Sequence, residues 1–190
     1  MARAGNGTNW AKWGLIGGAV AGGVALIPLI PAIKRRAMRV TTILKKDHRM
    51  VSGLIATLQM TPRVNERIRK TLFEQIRNAV MVHAQAEEEI LYPAMRNYMG
   101  MDGDSKVSEA YHEHQVVKDL LNDLDTMDPL SDAFDRKFAD FKSNLDHHVE
   151  EEESEMFELL LQRMPEERQQ ELGRQIHDRK RTLKIKMMAA

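Results

Sequence analysis

Six residues of this chain have the types and spacings that suit metal binding: His48, His83, Glu87, His114, His148 and Glu152. His83 and Glu87 are four residues apart, as are His148 and Glu152. On an α-helix that interval puts two side chains on one face with about 5–6 Å between their Cβ atoms, close enough to grip one cation. Both pairs belong to a repeat. Asp47-His48 aligns with Glu113-His114, Val51 with Val117, Ile55 with Leu121 and Leu58 with Leu124. Phe73 aligns with Phe138, Ile76 with Phe141, Val80 with Leu145, His83 with His148, Glu87 with Glu152, and Leu91-Tyr92 with Met156-Phe157. The chain thus contains one helical hairpin twice, with His on the first arm and His-x-x-x-Glu on the second. Packed about a pseudo-twofold axis, the hairpins bring all six groups together. Glu87 and Glu152 then bridge two ions while the imidazoles cap the ends.

A single inward histidine on a bundle stripe is usually a hydrogen-bonded core residue, and the run Glu150 to Glu153 by itself reads as a solvated face. Four histidines and two glutamates in matching register are not produced by core packing. The remaining histidines do not share that register. His112 is two residues from His114 and points roughly 200° away. His147 with Glu151 copies the ligand spacing one residue out of phase, and the repeat selects His148. His177 lies in the charged C-terminal segment. Tyr111, one turn before His114, is either a donor beside the site or a core residue.

The elements that position these groups are helical throughout. A first helix carries Leu44, His48, Val51, Ile55 and Leu58. Thr61-Pro62 reads as the cap and first position of a second helix, which carries Leu72, Ile76, Val80, His83 and Glu87 and is disturbed at its end by Pro93. Gly100 and Gly103 mark the next turn. A third helix carries Ala110, His114, Val117, Leu121 and Leu124. Asp128-Pro129 and Ser131 form a turn and cap, and a fourth helix carries Phe138, Phe141, Leu145, His148, Glu152 and Met156. The expected fold is all-α, an antiparallel up-down four-helix bundle over residues 41–164, followed by a short charged helix and tail over 165–190.

Residues 1–13 form a tail, and 14–33 are uncharged over a length that crosses a bilayer core. Trp10 and Trp13 stand before that run, Lys34, Arg35 and Arg36 after it, and 34–40 form a basic linker. Gly14, Gly18 and Gly22 make a small-residue stripe that suits pairing of two membrane helices. Basic residues are more numerous after the run, which puts the bundle on the cytoplasmic side of a single-pass protein. The basic flank and the tail from Arg174 to Lys186 add attraction to anionic lipid. Basic and acidic residues balance at 28 each, so no global field favours nucleic acid. There is no cysteine, which excludes iron–sulfur clusters and thiol nucleophiles. Imidazole and carboxylate ligands suit iron, manganese or zinc.

Asp47-His48, His83-Ala-Gln-Ala-Glu87-Glu-Glu-Ile-Leu-Tyr-Pro93, Glu113-His114 and His148-Val-Glu-Glu-Glu152 resemble the hemerythrin-like family, the HHE cation-binding domains. The resemblance covers about two thirds of the chain and every ligand-bearing helix. It implies an up-down bundle holding two iron ions in an oxo- or hydroxo-bridged centre, and binding of dioxygen, nitric oxide or peroxide. Oxygen-carrying members have a further histidine where this chain has Ala110, and a carboxylate five residues after the last histidine, where Glu153 stands. The missing imidazole leaves a coordination position that Glu153, Glu88 or Tyr111 could fill from the protein. The expected function is a membrane-anchored non-haem di-iron protein that binds or reduces a small oxidant. The alternative is a non-catalytic iron or oxygen sensor acting through a partner.

Overall fold

The computed structural model describes residues 38–189, and these are all helical apart from the turns. The run 14–33, with its proposed glycine pairing stripe, lies outside the described residues. Among those described, no helix is long and apolar enough to cross a membrane.

Helix α1 (Val40–Met60) ends at Thr61, which is extended with ψ 122°. Thr61-Pro62 therefore closes the first helix and does not open the second. A proline pushes the residue before it out of the helical region, and α2 (Glu66–Ala86) starts only after the turn at 61–65. Buried Arg69 ties this turn to the one across the bundle. It donates to the carbonyls of Thr61 at 3.0 Å and Pro129 at 2.7 Å, and to Asp135.

From α2 the chain passes through a π-helical turn, Glu87–Leu91, into α3 (Tyr92–Asp125). Pro93 does not end the rod. It lies in the first turn of α3, where its missing N–H costs nothing, directly after Tyr92 N–H closes the π-type bond to the Glu87 carbonyl. The reversal comes inside α3 at Gly100, with φ 59° and ψ −139°, a conformation that suits glycine. Gly103 belongs to the next helical stretch. A Cβ there would meet the Met95 carbonyl oxygen at 2.9 Å, so glycine lets the two rods approach.

The second hairpin repeats this construction. Ser131 caps α4 (Asp132–Glu151) by accepting from Phe134 N–H at 3.1 Å. A second π-turn, Glu152–Met156, leads into α5 (Phe157–Arg163). The last helix, α6 (Glu166–Ala189), has 24 residues, longer than α1 with 21, where a short helix is expected from its charge. Leu172, Ile176 and Leu183 give it a buried stripe, enough to hold it along α1 and α2. At Gly173 it presses so closely on the start of α1 that a Cβ would sit 2.0 Å from the Met38 carbonyl oxygen.

Two apolar clusters fill the bundle. One gathers Leu44, Leu91, Tyr92, Met95, Phe157 and Leu160; the other gathers Ile55, Phe73, Ile76, Leu121, Phe138 and Phe141. Between these clusters, along α1, α3, and α2 and α4 with their π-turns, lie the buried polar residues His48, His83, Glu87, His114, His148 and Glu152.

Candidate metal centre

All six side chains come together in the core. Nε2 of His48 faces Nε2 of His83 at 3.1 Å, and Nε2 of His114 faces Nε2 of His148 at 3.1 Å. Glu87 stands between the pairs, with one oxygen 3.1 Å from His83 Nε2 and 3.5 Å from His114 Nε2. Glu152 lies 3.2 Å from His48 Nε2. The potential ligand atoms form two groups, His48-His83-Glu87-Glu152 and Glu87-His114-His148. Glu87 is common to both. Glu152 is found in the first alone, a departure from the symmetric bridging that the repeat suggests.

The outward nitrogen of every imidazole meets a carboxylate. His48 Nδ1 is 2.8 Å from Glu153, His83 Nδ1 3.4 Å from Asp47, His114 Nδ1 2.9 Å from Glu88 and His148 Nδ1 2.8 Å from Glu113. Glu88 and Glu153 thus stand behind imidazoles, not at the centre between them. Such carboxylates fix the ring and the tautomer, leaving the Nε2 lone pair free for a cation. The pattern follows the repeat. Asp47 and Glu113 each support the histidine of their own hairpin, whereas Glu88 and Glu153 each support the histidine of the other.

The π-turns make this possible. On an α-helix consecutive residues diverge by about 100°. The wider π-turn narrows that divergence, so Glu87 and Glu88 bracket His114 from both ring nitrogens, and Glu152 and Glu153 bracket His48 likewise. Single π-turns inside helices occur mostly at functional sites, and here one falls at the same point of each repeat.

Charges in the chain alone show what the centre lacks. Among the described residues the buried oxygens of Glu87 and Glu152 face only imidazole nitrogens, His83 Nε2 at 3.1 Å and His48 Nε2 at 3.2 Å being the nearest, and no lysine or arginine, which is costly for a carboxylate. Burial opposes a charge on His83, but Glu87 and Asp47 outweigh it and raise the group to about 10. Burial opposes His148 as well, yet Glu113 and Glu152 raise it. Burial and the charge on His148 lower His114. Burial raises Glu152, and His48 and its neighbours overcome this and pull it down to about 2. The two facing nitrogens, His114 Nε2 and His148 Nε2 at 3.1 Å, are thus pushed in opposite directions by their surroundings. Metal ions held by these imidazoles and by Glu87 and Glu152 would satisfy both. The residues present fit metal ions with nitrogen and oxygen preference, iron among them.

Three features lie outside the sequence expectation. The first is Tyr92, fully buried, whose hydroxyl is 3.2 Å from His114 Nε2. Its counterpart in the repeat is Phe157, which stacks on His48 with ring centroids 6.1 Å apart. The mismatched pair Tyr92/Phe157 was the available signal. Tyr111 donates to the Glu88 carbonyl at 2.9 Å and packs edge-on against Tyr92, so it supports the π-turn. Ala110 is buried in the apolar cluster.

The second feature is a layer of cations behind the carboxylates. Lys45 pairs with Glu153 at 3.2 Å, Lys118 with Glu88, and Lys180 of α6 with Asp47. Among the described residues Glu113 has no lysine or arginine partner, and besides His148 it meets His147 at 3.7 Å. His147, 64% exposed, makes a surface group with Glu113 and Glu151 and takes no part in the buried centre.

The third is a cavity of about 280 Å³ between α1, α2 and α4. His48, His83 and His148 line its inner side, Val51, Val80 and Leu145 its walls, and Ser52 and Asp146 stand toward solvent.

The chain matches the hemerythrin HHE cation-binding domain over residues 39–160. It is 29% identical over 147 residues to a DNA nickase of Nostoc sp., an alignment covering 76% of this chain and 40% of that protein. It is 29% identical over 85 residues to a hemerythrin-like protein of Schizosaccharomyces pombe, covering 45% of this chain and 42% of that one. The chain therefore spans about two fifths of the length of these two relatives. A crystal structure of an HHE cation-binding domain-containing protein from Mycobacterium kansasii superposes with a TM-score of 0.68 at 24% identity, covering 80% of this chain and 90% of that one, and shows the same fold. The duplicated hairpin, the facing imidazole pairs and the family match agree: this chain belongs to the hemerythrin HHE cation-binding domain family.

Proposed function

We propose that this protein holds two iron ions in the bundle core and uses them to bind or reduce a small oxidant: dioxygen, peroxide or nitric oxide. The observation that carries the reading is the pair of facing imidazole couples with the buried carboxylates of Glu87 and Glu152 set among their Nε2 atoms. His48, His83, Glu87 and Glu152 would hold one ion, and Glu87, His114 and His148 the other. The ions would supply electrons and an electrophilic position for the oxidant. The chain supplies the rest. The cavity beside His48 and His83 admits a small molecule, its valine and leucine walls limit water, and the outer carboxylates keep the imidazoles aligned. With Ala110 in place of an imidazole, the second group has one nitrogen ligand fewer than an oxygen carrier, and the Tyr92 hydroxyl lies on that side. This favours oxidation by dioxygen over reversible carriage.

We further propose that residues 14–33 anchor the protein in a membrane with the bundle on the cytoplasmic side, which the distribution of Lys and Arg around that run supports. The deciding experiment is purification with iron quantification and optical spectra before and after exposure to dioxygen and to peroxide. Two irons per chain and irreversible oxidation support the reading. Absence of iron, or a long-lived oxygenated form reversed by evacuation, contradicts it.

A further inference from the structure

Where α6 lies along α1, the two helices leave a groove of about 880 Å³. Five cations line it: Lys46 and Arg49 from α1, and Lys180, Arg181 and Lys184 from α6. Asp47 is the single carboxylate in the lining, and Lys180 takes it. Lys46, Arg49, Arg181 and Lys184 have no carboxylate partner among the described residues. Apolar side chains are interleaved with them. Met50 is 44% and Ile185 59% exposed, and Met188 at the end of α6 is 88% exposed. Buried surface does not account for these groups, and unpaired cations alternating with exposed apolar side chains suit the interface of an anionic bilayer. There the cations meet phosphates and the apolar groups enter among the acyl chains.

Chain connectivity points the same way. Met38, at one end of the groove, follows Ile33 by five residues, a reach of at most about 18 Å. A chain that crosses a bilayer through residues 14–33 holds this groove within reach of the headgroups. We propose that the α1–α6 groove is a binding site for anionic phospholipid headgroups and that this face of the bundle rests on the membrane. The inference rests on the membrane reading above.

The test uses the full chain in nanodiscs of neutral phosphatidylcholine or of phosphatidylcholine mixed with phosphatidylglycerol, with trace amine acylation read at each lysine by mass spectrometry. In the anionic discs Lys46 and Lys184 should react roughly fivefold more slowly, the factor that corresponds to an attraction of ~1 kcal/mol per basic residue. Lys70, exposed at the start of α2, should not change. The double variant Arg49→Glu/Arg181→Glu should lose most of the difference. Equal rates in the two discs overturn the proposal. So does equal protection by glycerol phosphate added to neutral discs, which would make the groove a site for free anions. Extraction separates the two readings. A chain that resists high salt and alkali but shows no lipid-dependent footprint keeps the membrane span and loses the groove. A chain that binds only anionic vesicles and leaves at high salt keeps the groove and loses the span.

Discussion

The two hairpins of this bundle are built alike in backbone and unlike in side chains around the centre. Each supplies a facing histidine, a His-x-x-x-Glu pair, a π-turn at the glutamate and a carboxylate behind each imidazole. They differ in what lies next. Phe157 stacks on His48, whereas Tyr92 presents a hydroxyl to His114. Both carboxylates behind His48 and His83 carry lysine partners, but on the other side Glu113 has, among the described residues, no lysine or arginine partner. Glu87 reaches both groups and Glu152 one. Duplication thus accounts for where the imidazoles are, and the residues that escaped duplication make the surroundings of the two ligand groups differ.

The largest expected effect concerns the shared carboxylate. Glu87→Ala should abolish binding of both ions, whereas Glu152→Ala should leave about one per chain; elemental analysis distinguishes them. Equal losses would mean that both carboxylates bridge, as the repeat alone suggests. His83→Ala and His148→Ala should each lose one ion or more, while His147→Ala should retain full iron.

Next comes the layer behind the imidazoles. Asp47→Asn and Glu113→Gln should each weaken metal binding by about 10–100-fold, the usual cost of removing such a partner. Lys180→Met leaves Asp47 in place and should cost less. A loss from Lys180→Met as large as from Asp47→Asn would show that α6 holds Asp47 in position and does not merely neutralise it.

Protons sharpen the comparison further. His83 keeps its proton up to pH about 10, against an ordinary 6.5, so metal must displace it at neutral pH. Apparent affinity should therefore rise with pH up to about 10, and titration calorimetry in buffers of different ionisation enthalpy should record proton release. The sign for folding is opposite. In protein stripped of metal, the raised group contributes stability that is full below 6.5 and is lost as pH rises through about 10. Thermal melting that is flat over this range would contradict the charge placement at His83.

The smallest effect is the aromatic exchange. Tyr92→Phe makes the halves alike and should leave iron content and melting temperature nearly unchanged while altering the optical spectrum and the rate of oxidation. Phe157→Tyr tests the reverse. No spectral change in Tyr92→Phe would remove the hydroxyl from the account.

Much of this was legible in the sequence because it repeats. The register of His148 over His147 and the inward stripes of Leu44, Ile55, Ile76 and Leu121 follow from periodicity and alignment. The π-turns were not legible. Neither has a shared flanking signature, since Tyr92-Pro93 follows one and Phe157-Glu158 the other, and each aims two successive glutamates at one imidazole. At Thr61-Pro62 the sequence is ambiguous, because a proline suits both the end of one helix and the start of the next, and packing around Arg69 decides for the end. Lys180 is 133 residues from Asp47, a contact that no spacing argument reaches.

In the proposed function His48, His83, Glu87 and Glu152 would hold one ion, and Glu87, His114 and His148 another. Diffraction from crystals of the iron-loaded protein at the iron absorption edge tests it most directly. Two anomalous peaks are expected, one beside Nε2 of His48 and His83 and one beside Nε2 of His114 and His148, with Glu87 between them. A single peak, or one at the surface group of Glu113, His147 and Glu151, would contradict it.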